Sequence, residues 1–247
     1  MAPQADEGGA HPFTRDGGPL TFDGAAFEAR LRRARGRTPF QFPDEDIPGD
    51  FKRSGVLIPM WREGDDVHVL LTRRSSRLRT QPGQMAFPGG RLESDETWVE
   101  GALRETWEEV GIPSSAIDVL GALDDAWSGA RHHLVPIVGW LEGRPDVTPS
   151  PDEVESVHMP SIRALMRADA WKSEEVTING VLYHNATIDW GDGHVFGLST
   201  DLLVEAMQWG FGLPSRAGEG RLASLRAWLA EAGTGERRSA QTVRGAD

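Results

Sequence analysis

The 247-residue chain contains no cysteine, which removes disulfides, thiolate nucleophiles and cysteine-held zinc. It also lacks any apolar run long enough to span a bilayer. Its longest apolar stretches, such as Gly55-Val56-Leu57-Ile58-Pro59-Met60-Trp61, have the length of a strand. The first residues, Met1 to Glu7, are acidic and have no apolar h-region, so a cytoplasmic protein is expected rather than a secreted or membrane one. Positive charge is in deficit, with 26 Lys plus Arg against 38 Asp plus Glu and a net charge of −12. That sign repels a phosphate backbone, so nucleic acid is not an expected partner. What is present is a 38% hydrophobic composition, enough for one substantial core.

Residues 1–20, rich in Gly, Pro and Asp, read as a mobile arm. Phe27 and Leu31 at helical spacing predict a short helix over 21–35, and the three prolines and four acids of 36–50 read as linker. The organisation expected is an N-terminal arm over 1–50, a main domain over 51–212, and a C-terminal helix with a polar tail over 213–247. In the main domain, Val56–Pro59 and Val67–Leu71 are strand-like and flank a turn at Glu63-Gly64-Asp65-Asp66. Residues 72–91, without a clear period, read as a long polar loop of the kind that is often functional. Further strands are expected at 117–122, 133–141 and 153–158, and a hairpin turn at Asn179-Gly180. Helices are expected at 161–167 and 198–209, and again around Leu222, Leu225, Trp228 and Leu229. Interleaved helices and strands predict a layered α/β domain.

The strongest helix covers 97–110. Val99, Ala102, Leu103, Thr106 and Val110 form one apolar stripe, Asp95 is the expected N-cap, and Gly111 stands where a C-cap glycine belongs. Glu105, Glu108 and Glu109 share an arc of about 100° on the same helix. Such carboxylates repel one another, and a hard divalent cation with oxygen ligands relieves the repulsion. Mg²⁺ or Mn²⁺ suits the site, particularly where a substrate adds phosphate oxygens. Arg104 has no acceptor and serves to hold carboxylates, with Glu108 and Glu96 in reach. Gly89 and Gly90 let the backbone pass close by, so that the Gly90 carbonyl could add an oxygen ligand. An acidic cluster alone would be read as a solvated face.

The spacing decides otherwise. Gly90, five residues, Glu96, seven residues, Arg104-Glu105, two residues, Glu108-Glu109, one residue, Gly111 and apolar Ile112 resembles the signature of the Nudix hydrolases. Seven identities at fixed spacing arise by chance at roughly one in 10⁸ to 10⁹ start positions, so the functional reading prevails. The resemblance implies a Nudix-type α/β/α sandwich with a mixed sheet, and hydrolysis of a nucleoside diphosphate joined to another group. It implies that Glu105, Glu108 and Glu109 bind the catalytic metals, while Arg104 and Glu96 hold them in place and Gly89 and Gly111 support the turn and cap. For the general base, Glu105 is the first candidate, and Glu153 and Glu155 are the candidates outside the helix.

Upstream, Arg73, Arg74, Arg77 and Arg79 concentrate positive charge where phosphates must dock. The segment Leu70-Leu71-Thr72 through Arg74-Ser75, Arg79, Gly83 and Phe87-Pro88-Gly89-Gly90 is similar to the coenzyme A pyrophosphatase branch of that family. The resemblance implies cleavage of CoA or acyl-CoA to 3′,5′-ADP and 4′-phosphopantetheine or its acyl form, with Arg74, Ser75, Arg79, Gly83 and Phe87 as substrate-binding positions. Trp127-Ser128-Gly129 stands where branch members carry a Ser-Gly-Phe turn, and Trp127 is a candidate platform for adenine or an acyl chain. His132 and His133 alternate faces in a strand, one toward the surface and one inward. Hydrolysis of ADP-ribose or NADH, and a non-catalytic nucleotide sensor, are the alternative functions. The expected partner is a small nucleotide, and the apolar content is compatible with a homodimer.

Overall fold

A computed structural model describes residues 13–15, 18–178, 181–215 and 217–233. The chain begins with a two-stranded ribbon, β1 (Thr14–Arg15) and β2 (Gly18–Pro19), and helix α1 (Gly24–Arg33), capped by the Asp23 carboxylate accepting from Ala26 N. The mixed sheet is built on β3 (Lys52–Glu63), which turns through Gly64 into β4 (Asp66–Val69) as the sequence predicts. The expected polar loop is only partly a loop. It contains β5 (Leu71–Arg74), β6 (Met85–Ala86) and β7 (Gly89–Arg91), because β6 completes its hydrogen bonds on β5 and β7 on β3.

Helix α2 (Trp98–Val110) follows, then β8 (Asp118–Ala122), β9 (Ala126–Ser128), β10 (His132–Leu141) and β11 (Val154–His158). Short α3 (Ile162–Leu165) leads to β12 (Trp171–Ile178), β13 (Val181–Asp189) and β14 (His194–Phe196), and the fold closes with α4 (Leu198–Phe211) and α5 (Ala217–Gly233). The β12–β13 hairpin is present in the expected register, though its Asn179-Gly180 turn lies outside the described residues. So do the first twelve residues of the expected arm and the polar tail beyond 233.

The mixed sheet runs β4-β3-β10-β8, with β10 parallel to β3, β7 added on β3 and β9 on β10. β5 is sandwiched between β11 and β6 in a second sheet, and β12, β13 and β14 form a third. Period-2 alternation sends Val56, Ile58 and Met60 of β3 to one face and Leu57 and Trp61 to the other. The first face packs with Phe27 and Leu31 of α1 and with Leu202, Leu203 and Met207 of α4. The second packs with Ala102 and Val110 of α2. Helices therefore cover both faces, the α/β/α arrangement expected.

The N-terminal segment is more than an arm: Phe13, Phe27 and Leu31 are fully buried in the main core, and Phe42 packs on Leu222 and Leu225 of α5. A chain of buried charges ties these ends to the sheet. Asp124 accepts from Arg37, Phe40 N and Gly218 N, while Arg221 donates to Glu205 at 2.7 Å and to the Asp124 carbonyl. Among the described residues, no helix is long and apolar enough to cross a membrane.

Candidate metal centre

α2 carries the acidic cluster. Its N-cap is Thr97 rather than Asp95. The Thr97 hydroxyl accepts from Glu100 N while the Glu100 carboxylate accepts from Thr97 N, a reciprocal box that Asp95 is two residues too early to form. At the other end Gly111 adopts φ +75° and its N–H returns to the Trp107 carbonyl, as expected of a C-cap. Ala102, Thr106 and Val110 of the apolar stripe are buried, and Thr106 satisfies its hydroxyl by donating to the Ala102 carbonyl. That packing fixes the helix rotation and so aims the glutamates.

Oxygens of Glu105, Glu109 and Glu153 lie within 4.8 Å of one another. Glu153 arrives by backbone tethers to the end of α2. Thr148 N donates to the Val110 carbonyl and Ser150 N to the Glu109 carbonyl, and Glu153 N then closes onto Ser150 O. Ser75 N holds the Glu153 carbonyl from the other side at 2.8 Å. Of the two outside carboxylates expected from sequence, the structure brings in Glu153 and leaves exposed Glu155 apart, at the irregularity between Val154 and Ser156 on β11.

Glu109 is 5% exposed, and burial pushes its carboxyl up to about 8, against the opposing charge of Arg74 and with Glu105 and Glu153 adding to the rise. Glu105 is also raised, again by burial first, with Arg104 opposing. Arg104 donates to Glu96 at 2.6 and 3.0 Å, to Glu105 and Glu108 at 3.0 Å each, and to the Arg91 carbonyl at 2.9 Å. Glu96 also accepts from Glu93 N and is held below the usual carboxylate range, chiefly by Arg104. Glu108, half exposed, is tied to Arg104 and stands outside the close cluster.

The two glycines before the helix are sterically required. A Cβ on Gly89 would sit 2.5 Å from the Gly55 carbonyl oxygen, and one on Gly90 would sit 2.4 Å from the Glu105 carboxyl carbon. The cluster fits a hard divalent cation. Its donors are all carboxylate oxygens, and among the described residues the buried Glu109 has no ion-pair partner to offset its charge.

The substrate-binding positions expected upstream divide. Arg74 acts on Glu109, and its Nε is shielded from solvent without a hydrogen-bond partner among the described residues. Arg79 is exposed, and Gly83, at φ +71°, bonds back to the Arg74 carbonyl. Ser75 is buried, its hydroxyl receiving Arg77, so it holds the Glu153 segment rather than facing open space. Phe87 is a core side chain, 5% exposed. Trp127 is not a free platform: its ring N–H donates to Arg221 O and Ser224 Oγ, and its ring lies against Trp228 of α5. His133 is the inward histidine, bonded to Asp125 at 2.8 Å, and His132 meets Ser54 nearer the surface.

Residues 51–179 match the NUDIX domain model. The chain is 33% identical over 174 residues to Nudix hydrolase 15, mitochondrial, of Arabidopsis thaliana, covering 66% of this chain and 59% of that protein. It is 31% identical over 159 residues to the uncharacterized Nudix hydrolase NudL of Yersinia pestis, covering 64% and 79%. Among solved structures, a MutT/nudix family protein from Enterococcus faecalis aligns over 81% of this chain and 79% of its own at 14% identity and a TM-score of 0.46. The helix, its glycine turn and the matched span agree, and the chain belongs to the NUDIX domain family, with the family's α/β architecture.

Proposed function

We propose that this protein hydrolyses the pyrophosphate bond of a nucleoside diphosphate derivative with Mg²⁺ or Mn²⁺. The observation that carries the reading is the meeting of Glu105, Glu109 and Glu153 oxygens within 4.8 Å, on and beside the helix whose spacing marks the family. Glu105, Glu109 and Glu153 hold the cation, with Glu108 one turn away. A bound cation neutralises phosphate oxygens and lowers the pKa of water. Arg104 sets the Glu105 and Glu108 carboxylates, and Glu96 sets Arg104. Glu153 accepts the proton of the attacking water: it has no arginine partner among the described residues and is the solvent-open member of the three. Arg74, beside Glu109, takes the charge of the phosphates.

The upstream segment from Leu70 to Gly90 supports coenzyme A or acyl-CoA as the first substrates to try. ADP-ribose and NADH are the competing derivatives. Turnover of CoA, acyl-CoA, ADP-ribose, NADH and diadenosine polyphosphates is measured side by side with Mg²⁺ and Mn²⁺. Hydrolysis of CoA to 3′,5′-ADP above the others establishes the branch. Dominant ADP-ribose turnover refutes the branch and keeps the chemistry, whereas nucleotide binding with no product points to a sensor.

A further inference from the structure

Lys52, Ser54, Arg91 and His132 gather at one end of the mixed sheet. His132 pairs with Lys52 across β10–β3, and Ser54 pairs with Arg91 across β3–β7. Directly opposed residues share a face, as do residues two apart on a strand, so the four project together. Their face is the one away from α2, because intervening Arg53 lies over the Trp98 ring at 4.5 Å. Ser54 Oγ and His132 Nδ1 are 2.6 Å apart. Partial burial, then the charges of Lys52, Arg91 and Arg74, hold the imidazole below its usual range. The tautomer in which the Ser54 hydroxyl donates to Nδ1 carries its ring hydrogen on Nε2, which has no partner among the described residues.

Arg32, Arg37, Arg62 and Arg221 each hold a carboxylate. The side chains of Lys52, Arg74 and Arg91 hold none among the described residues, and Arg74 Nε is cut off from water as well. Lys52, Arg74 and Arg91 concentrate positive charge around one imidazole in a protein of net charge −12, which favours an anion there. Arg74 acts on both His132 and Glu109, so this group adjoins the acidic cluster, with β7 passing between.

We infer that Lys52, Arg91 and His132 form a subsite for a phosphate monoester that the substrate carries apart from its diphosphate, with Arg74 lying between that subsite and the metal cluster. The inference rests on the hydrolase reading and narrows its substrate class. Nucleotides bearing an additional phosphate, as coenzyme A does, are preferred over ADP-ribose or NADH, which bear none.

The test is calorimetric titration of the full chain, with Mg²⁺, by AMP, adenosine 2′,5′-bisphosphate and adenosine 3′,5′-bisphosphate. One bisphosphate should bind about tenfold or more tightly than AMP, the scale of one charge-assisted contact. That preference should vanish in the Lys52→Ala/Arg91→Ala double variant, whose mutated side chains are exposed and whose melting curve reports folding. Equal affinity for all three ligands in the wild type, or a preference that survives the double variant, overturns the subsite. Turnover of CoA and dephospho-CoA is measured in parallel. Equal kcat/KM for the two also overturns it, whereas a bisphosphate preference with no turnover of either leaves the subsite standing and removes coenzyme A as the substrate.

Discussion

The Glu105 carboxylate lies directly over Gly90, so closely that a Cβ there would come 2.4 Å from its carboxyl carbon. Gly90→Ala therefore displaces the end of a flexible side chain rather than backbone. Its melting temperature should stay near wild type while kcat/KM falls about a hundredfold, the scale of a 1 Å misplacement at a catalytic group. Gly89→Ala differs, because its Cβ meets the β3 backbone. It should destabilise by about 1–3 kcal/mol, read from denaturant midpoints.

Glu153 and Glu155 are separated by a single residue yet differ in placement. Glu153→Gln should lower kcat by about a hundredfold or more, as loss of a general base does. Glu155→Gln should remain within about twofold, as expected of an exposed side chain away from the cluster. Equal losses in the two variants would refute the assignment of the proton acceptor.

The Glu109 carboxyl, pushed up to about 8, makes cation binding a proton-releasing event at neutral pH. Calorimetric enthalpies of Mn²⁺ binding should vary with the ionisation enthalpy of the buffer, in proportion to about one proton. Without metal, the folded state keeps a proton that the unfolded chain has already lost. The stability this contributes is full below the ordinary carboxylate range and disappears as pH rises through about 8. Melting temperature of metal-free protein should fall over that window, and less so in Glu109→Gln. That variant should also lose about a hundredfold or more in activity, since even residues behind a ligand cost about 10–100-fold.

Arg221 and Glu205 are 5% and 1% exposed in their side chains. Arg221→Met strands the Glu205 charge, leaving only Arg37 at 3.6 Å, and should cost about 3 kcal/mol. The melting temperature should drop by about 6–12 °C. Adding Glu205→Gln should restore part of that loss, because the buried charge is then gone.

Much of the site is legible in the chain because helical spacing is a short-range property. The positions of Glu105 and Glu109 on one face, the Arg104 contact to Glu108 and the Gly111 cap all follow from 3.6 residues per turn. Glu153 is less legible. Which of two nearby carboxylates enters the cluster depends on tethers from Thr148 and Ser150 to α2 and on a strand irregularity, neither of which has a local pattern. Trp127 and Phe87 show the converse. Both lie near functional-looking sequence, yet α5 engages one and the main core the other. Thr97 could have been found as the N-cap from its Thr-x-x-Glu spacing. The grouping of Lys52, Arg91 and His132 needs three strands in register, which a linear reading does not contain.

Phe27, Leu31, Leu202, Leu203 and Met207 lie outside residues 51–179 and roof the face of β3 that carries Val56, Ile58 and Met60. A recombinant fragment trimmed to that span would bare a greasy slab of sheet and should precipitate on expression, so any shortened version for crystallisation must retain both α1 and α4.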